Sequence, residues 1–360
     1  MNAVQQALLR LHLTPGLGRI ALFKLHQYFS DFTAALQAPP QHWREAGLSE
    51  AVCNKVPAKN SEKFRQVYRN LESQQIQLIS FWDDDYPSLL REIHDPPALL
   101  YLRGTLPKND CFAIVGSRRA TSAGLTLTRN LAYTLAQHQL CIVSGLARGV
   151  DSAAHRGALD AKGATIAVLG CGIDRVYPPE NSKLFHEIQQ HNAIITEYPP
   201  ETPPLAGHFP GRNRIISGLS RGVLIVEAAE KSGSLITGDF ALEQGRELFA
   251  IPGAVQNPNS RGTNRLLKEG AQLVTEASDI LQSLWPHQPT RQQQVQHNNF
   301  ADQLEGAALK VFETLGHEPR HSDEIGRECG LTPMELSAIL LDLELRGGIE
   351  TLPGNHYIRS

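Results

Sequence analysis

Seven apolar runs of strand length, at 112–116, 140–144, 165–169, 193–197, 222–227, 248–251 and 271–274, are separated by stretches with helical spacing near 121–138, 151–162, 180–190, 233–246 and 261–269. No other feature of the chain constrains its fold as tightly. A strand that is apolar on both faces, such as "FAIV" or "VLIV", must be covered on both sides, and strands that alternate with helices are joined as parallel neighbours by helical crossovers. The pattern predicts an α/β core with a Rossmann-like open parallel sheet over residues 76–285. In such a sheet ligands gather beyond the carboxyl ends of the strands, where glycines turn the chain and helix N-termini offer free N–H groups to anions. Function is therefore to be sought in those loops.

The flanks differ from the core. "VQQALLRLHLTPGLGRIALFKLHQYF" reads as two short helices broken at Pro15-Gly16 and restarted after Gly18, the opening of an all-α module over residues 1–75. "PHQPTRQQQVQHNNF" has no hydrophobic period and predicts a flexible linker over 286–300. Residues 301–360 read as three helices and a hairpin, the order of a small winged-helix domain.

With 34 Lys and Arg against 37 Asp and Glu, the chain has no whole-surface basic field, so a nucleic-acid site would have to be a local patch. The five cysteines are scattered and never form a CxxC pair, which argues against a disulfide framework and a structural zinc site and predicts small buried side chains instead. No segment approaches the roughly 18 apolar residues of a membrane helix, and the N-terminus lacks a signal-peptide pattern, so the expectation is a cytoplasmic protein without membrane contact. GxGxxG and GxxxxGK[ST] are both absent, which speaks against dinucleotide-dependent redox chemistry and P-loop phosphate binding.

Four loops carry the candidate chemistry. "GSRRATS" offers Gly116 for a sharp turn, the Ser117 hydroxyl, and Arg118 and Arg119 as guanidinium donors matched to phosphate. "SGLARGVDSAAH" brackets its turn with Gly145 and Gly149, adds Arg148, and sets His155 one helical turn beyond Asp151. That pair is either a general base with its orienting carboxylate or a capped helix with a hydrogen-bonded histidine, and the lack of a nearby nucleophile favours the second. In "GCGIDRVYPPENSK", Gly170 and Gly172 permit close backbone approach and Lys183 adds a point charge, while Cys171 has no partner base.

The fourth loop surrounds "HFPGRNRIISGLSRGVLIVEAAEKSGSLIT". It supplies Phe209, Arg212, Asn213 and Arg214 at a helix start, Arg221 before the strand, and Glu227 at its end as the expected carboxylate partner of one arginine. Ser232, Gly233 and Ser234 open the next helix. One acid does not neutralise so many guanidinium groups, and four such loops exceed the needs of a mononucleotide, so the sum predicts an extended polyanion. Phe209, Tyr177 and Tyr198 are the aromatics placed to stack on bases, in a chain that is only 6% aromatic.

In this order and spacing, "GSRRAT", "SGLARGVDSAAH", "GCGIDRVYPPEN", "HFPGRNRIISGLS" and "VEAAEKSGSLIT", followed by "LFAIPG" and "GTNRLLKEGAQLV", resemble the DNA-processing protein DprA (Smf) family. The likeness covers residues 80–285. It implies a single-stranded DNA-binding protein of natural transformation and recombination that dimerises, protects incoming strands and loads RecA recombinase, without catalytic residues, cofactor or metal. The arginine of the family's GSR motif falls on Arg118, and the lysine after YP-x-x-N on Lys183. "TPGLGRIALFKL" is similar to the helix-hairpin-helix of a sterile-alpha-motif-like module, and the C-terminal domain resembles the winged helix of some members. Its would-be recognition helix, "PMELSAILLDLELRG", carries Glu335, Asp342, Glu344 and only Arg346 as a base, whereas a major-groove reader presents Arg, Lys, Asn or Gln. This predicts a protein-contact or regulatory module. The apolar helix face in "SLITGDFALEQG" is the candidate dimer surface.

The rival is an enzyme, a nucleotide phosphoribohydrolase on the same sheet. That class carries PGGxGT-x-x-E, and in "EAAEKSGSLITGDFALEQGR" the PGG is missing although Glu243 lies on the following helix.

Overall fold

The structure, a computed structural model, describes residues 1–286, 304–316, 320–346, 348–352 and 354–359. Six helices come first: α1 (Ala3–His12), α2 (Arg19–Phe29), α3 (Phe32–Gln37), α4 (Pro40–Glu45), α5 (Glu50–Cys53) and α6 (Glu62–Ser73). Their starts are written in the sequence. Asn2 and Gln5 form a reciprocal capping box, and the side chains of Asp31 and Ser61 cap α3 and α6. The break between α1 and α2 runs through Gly16, whose φ of 84° favours glycine.

The core elements follow in alternation: β1 (Gln77–Ser80), α7 (Ser88–Arg91), β2 (Leu99–Gly104), β3 (Cys111–Val115), α8 (Ser122–Gln137), β4 (Cys141–Ser144), α9 (Val150–Asp160), β5 (Thr165–Val168), α10 (Ser182–His191), β6 (Ala193–Thr196), α11 (His208–Gly218), β7 (Gly222–Ile225), α12 (Gly233–Glu243), β8 (Glu247–Ala250), α13 (Arg261–Lys268), β9 (Gln272–Leu273) and α14 (Ala277–Leu284). They build a nine-stranded sheet in the order β1-β2-β6-β5-β4-β3-β7-β8-β9. From β6 to β9 every neighbouring pair is parallel. β3, β4, β5 and β7 are buried along their whole length, as strands covered by helices on both faces must be.

The parallel sheet expected from residue 112 onward is extended at one edge by β1 and β2. β2 runs antiparallel to both β6 and β1, so the sheet is mixed. Only residues 105–110, with no helix among them, join β2 to β3, too little for the crossover that parallel strands require. The reversed pair also covers the edge that β6 would otherwise expose.

Apolar side chains of the first six helices, among them Leu8, Leu22, Leu25 and Trp43, share one cluster with Tyr101, Leu169 and Ile194 of the sheet. Met1 to Pro286 accordingly forms one compact unit. The stretch read as a linker lies, from residue 287 on, outside the described residues.

The second unit contains the helices Gly306–Thr314, Ser322–Cys329 and Pro333–Leu345. A three-stranded antiparallel sheet joins them, β10 (Arg320–His321), β11 (Ile349–Leu352) and β12 (His356–Arg359), in the order β10-β12-β11. Val311, Leu315, Ile325, Leu336, Leu340, Leu343 and Ile349 fill its core. This is a winged-helix domain.

Candidate nucleic-acid interface

The strand order reverses between β3 and β7, and the loops after β3, β4 and β5 open on the same side. In the first loop, Ser117 N–H donates to Glu227 O at 2.7 Å and Thr121 caps α8 by accepting from Gly124 N–H at 3.0 Å. The Glu227 carboxylate accepts from Thr121 N–H at 3.0 Å and from its hydroxyl at 2.5 Å. Glu227 therefore holds the crevice between β3 and β7 closed and, among the described residues, pairs with no arginine, which corrects the partner expected for it. Gly116 and Ser117 shape this turn, and Arg118 and Arg119 project from it into solvent. Among the described residues, neither arginine forms an ion pair.

The second loop is fastened from two directions. Asp151 accepts from Gly145 N–H at 3.2 Å and from Ala147 N–H at 3.3 Å, while Arg212 reaches across from α11 and donates to Gly145 O at 2.6 Å and to Val168 O at the end of β5. A Cβ at Gly145 would run into the Arg212 guanidinium, so glycine is required there. Gly149 starts α9 with φ 76°, and a Cβ on it would strike Ser117 O; the first two loops thus pack backbone against backbone. Asn181 ties the third loop in, donating to Leu146 O at 2.8 Å and Ser152 Oγ at 2.9 Å.

These fastenings leave a cleft of about 240 Å³. Four arginines line it, Arg118, Arg119, Arg148 and Arg212, together with Tyr177, Phe209 and the backbone of Gly145 and Gly170, and no Asp or Glu does. The Phe209 ring lies flat enough against Gly170 that a Cβ there would approach it to 2.8 Å. Tyr177 tilts against Phe209 with centroids 5.6 Å apart, and the Arg118 guanidinium sits 5.5 Å over the Phe209 ring. Two aromatic rings thus stand among the cations.

Behind the wall the charges are buried. Arg212 is 4% exposed, and burial lowers its pKa while Asp151 opposes the shift. Burial raises the Asp151 carboxyl, against the pull of Arg212 and its two N–H donors. His155 bonds to Thr165 Oγ1 at 2.7 Å, not to Asp151. Because Thr165 Oγ1 itself donates to Ile142 O at 2.6 Å, the imidazole Nδ1–H must be the donor to it. Burial and then the Arg212 charge push the His155 pKa down to about 3, so the ring is neutral and structural. Cys171 is buried in the cleft wall with its thiol pushed up to about 11, too high for a reactive thiolate.

Several predicted site residues fall outside this lining. Arg214 is 6% exposed and ion-paired to Glu197 at 2.5 Å and Asp95 at 3.0 Å; Arg19 of α2 closes on the same Asp95. Its charge holds the fold together, which corrects the expectation of a phosphate ligand. Arg221 precedes β7, at the amino-terminal ends of the parallel strands, and pairs with Asp110 at 2.9 Å. Asn213 donates to Gly233 O at 3.3 Å and so ties α11 to α12, while Ser232 caps α12 by accepting from Ser234 N–H. Gly172 backs onto Pro199 O, and Lys183, 84% exposed on α10, faces Glu187 at 3.9 Å. Tyr198 stacks on His208 at 4.2 Å, away from the cleft. The lining also includes Ala147, Leu169 and Pro178, which no charge or hydroxyl marks in the sequence.

Comparison with known proteins gives two family matches: DNA recombination-mediator protein A over residues 77–285, and the DprA winged helix domain over residues 298–355. Protein Smf of Escherichia coli K12 is 41% identical over 301 residues, covering 80% of this chain and 79% of its own. Protein Smf of Synechocystis is 33% identical over 395 residues and 99% of each chain. Among solved structures, DNA processing protein A from Streptococcus pneumoniae matches with a TM-score of 0.69 and 37% identity, over 79% of this chain and 99% of that one. DNA processing protein A from Helicobacter pylori, described for its single-stranded DNA binding mode, matches with a TM-score of 0.54 and 34% identity over 59% of this chain and 96% of that one.

Proposed function

The chain belongs to the DNA recombination-mediator protein A family, also called DprA or Smf, and from that premise we propose that it binds single-stranded DNA in the arginine-lined cleft, shields the bound strand and passes it to RecA recombinase during natural transformation. The observation that carries this reading is the cleft itself: four guanidinium groups and two aromatic rings line it and no Asp or Glu does, with Glu180 paired at 3.5 Å to the exposed Arg148 at its rim. Phosphates supply the charge such a wall attracts, and unstacked bases supply faces for Tyr177 and Phe209. A duplex keeps its bases paired and stacked, so the single strand is the better fit. The relative from Helicobacter pylori, whose solved structure is described by its single-stranded DNA binding mode, supports the same ligand class.

The reading assigns the cleft to binding rather than turnover. His155 stands behind the wall and neutral, and the Asp151 carboxylate is occupied by backbone N–H groups, so neither is presented to a reacting atom. We further propose a cytoplasmic homodimer whose contact includes α12, on which Leu242 is 61% exposed. No helix among the described residues is long and apolar enough to cross a membrane.

Fluorescence anisotropy with labelled single-stranded and duplex oligonucleotides of equal length, titrated across salt, tests the proposal. Tighter single-strand binding whose logarithm falls linearly with log salt is expected. Equal affinity for both forms, or release of free base from nucleoside monophosphates over many turnovers, would overturn it.

A further inference from the structure

The helix Pro333–Leu345 stands where a winged helix presents its recognition surface. Its inner side, Leu336, Leu340 and Leu343, is buried in the domain core. Its outer side is apolar as well. Met334 and Leu341, seven residues apart and so on one face, are 84% and 56% exposed, and Ala338 between them is exposed too. Two apolar stripes on opposite sides of one helix call for cover on both, yet nothing among the described residues of its own unit covers the outer one.

Charge says what would. Helical spacing sets Glu335 and Asp342 along one border of the stripe and Glu344 along the other. Hydrogen bonds from the Thr332 hydroxyl and N–H hold Glu335 below the usual carboxylate range, so it is ionised, and the lone nearby base, Arg346, is paired to Asp342 at 3.1 Å. The wider domain agrees. Eleven Asp and Glu against five Lys and Arg leave residues 301–360 at −6, whereas 29 basic against 26 acidic residues leave residues 1–300 at +3. A DNA groove would meet like charge here, and a second copy would set the three acids against themselves.

We propose that this face docks a basic amphipathic helix of a partner protein. Apolar residues at i, i+3 or i+4, and i+7 would seat on Met334, Ala338 and Leu341, with Lys and Arg on both flanks meeting Glu335, Asp342 and Glu344. The winged helix then recruits a protein, and DNA is left to the other unit.

The full chain can be titrated with two fluorescent synthetic peptides of identical Leu and Lys content, one arranged with a helical apolar stripe and one scrambled to remove it. The striped peptide is expected to bind at least about tenfold more tightly, a difference of about 1.4 kcal/mol. Met334→Ala with Leu341→Ala should erase that preference, and Glu335→Gln with Asp342→Asn and Glu344→Gln should flatten its salt dependence. Both sets lie on the surface, and thermal unfolding of each variant, followed by circular dichroism over the whole chain, serves as the check on folding. Equal binding of the two peptides, or no effect of the alanine pair, would sink the proposal. So would concentration-dependent sedimentation abolished by Leu341→Glu, which would make the occupant a second copy, or loss of duplex DNA binding in that variant.

Discussion

Arg118 and Arg214 differ in what surrounds them more than in what they are. Arg118 stands at the tip of the β3–α8 loop, exposed, without an ion pair, its guanidinium resting on the face of Phe209. Arg214 lies inside α11, with its donors on Asp95 and Glu197. Arg212, two residues before it on the same helix, is intermediate: it lines the cleft, but two main-chain carbonyls hold one of its nitrogens. A guanidinium attracts a phosphate only to the extent that it is not already paired, so positive charge counted along the sequence overstates the site. Substitutions at the two ends of this series should have crossed effects.

The largest effect is expected at Arg214. Arg214→Ala leaves Glu197, 17% exposed, without its cation, while Asp95, 39% exposed, keeps Arg19, so the loss belongs at the lower end of the about 3–5 kcal/mol that breaking a buried pair costs. Urea unfolding should show that loss, and oligonucleotide affinity extrapolated to fully folded protein should change little. A variant that unfolds normally but no longer binds would return Arg214 to the site.

The wall behind Arg212 sharpens the contrast through pH. His155 has its folded pKa at about 3, below the ordinary 6.5, so the unfolded chain takes the proton first. The stability owed to the neutral ring is complete above pH 6.5 and is lost as pH falls toward 3, at about 1.4 kcal/mol per pH unit. His12, pushed down to about 4 by burial, acts in the same sense. Asp151 acts in the opposite one, because a raised carboxyl pKa favours the folded state as pH falls. Unfolding at about pH 7.5 and about pH 5 should show His155→Gln losing about 2 kcal/mol less than the parent between the two. Identical losses would mean that His155 is not the buried neutral group.

Next in size is Arg118→Ala, which should weaken single-strand binding about tenfold, or about 1.4 kcal/mol, and reduce the salt slope by about 0.7 for each phosphate that the guanidinium had neutralised. Its unfolding free energy should stay within about 0.5 kcal/mol of the parent, as for a surface site. Unfolding instead of weaker binding would make Arg118 structural and erase its difference from Arg214.

How much of this the sequence discloses depends on the range of the interaction. Apolar periodicity is local, and it places β3 to β8 and the helices between them. The loops that form the cleft are equally legible, since Gly145, Gly149 and Gly170 mark turns where backbone or a ring comes close. Partner choice is not local. Glu227 lies 106 residues from Thr121, and Arg214 is 119 residues from Asp95, so no spacing rule shows that the first holds the cap of α8 in place and the second an ion network. The antiparallel edge is hidden for a related reason: "PALLYLRG" is apolar up to Arg103, like the parallel strands, and direction is set by the missing crossover rather than by the residues of the strand.

The smallest effect expected, and the finest probe of the cleft's boundary, is at Lys183, the position that the family resemblance marks for DNA. Its ammonium is 84% exposed in the first turn of α10, 3.9 Å from Glu187, and does not line the cleft. From there it can attract a phosphate only through solvent, where screening is strong: the Debye length is about 10 Å at about 0.1 M salt and shrinks as salt rises. Lys183→Ala should weaken single-strand binding about twofold, or about 0.4 kcal/mol, at low salt and have no measurable effect at high salt, while Glu187→Gln should tighten it by a similar factor. Arg118, which touches the cleft, should keep its effect across the same range. If Lys183→Ala costs as much as Arg118→Ala and resists salt, the strand runs over the start of α10 and touches it directly, and the interface extends beyond the four arginines.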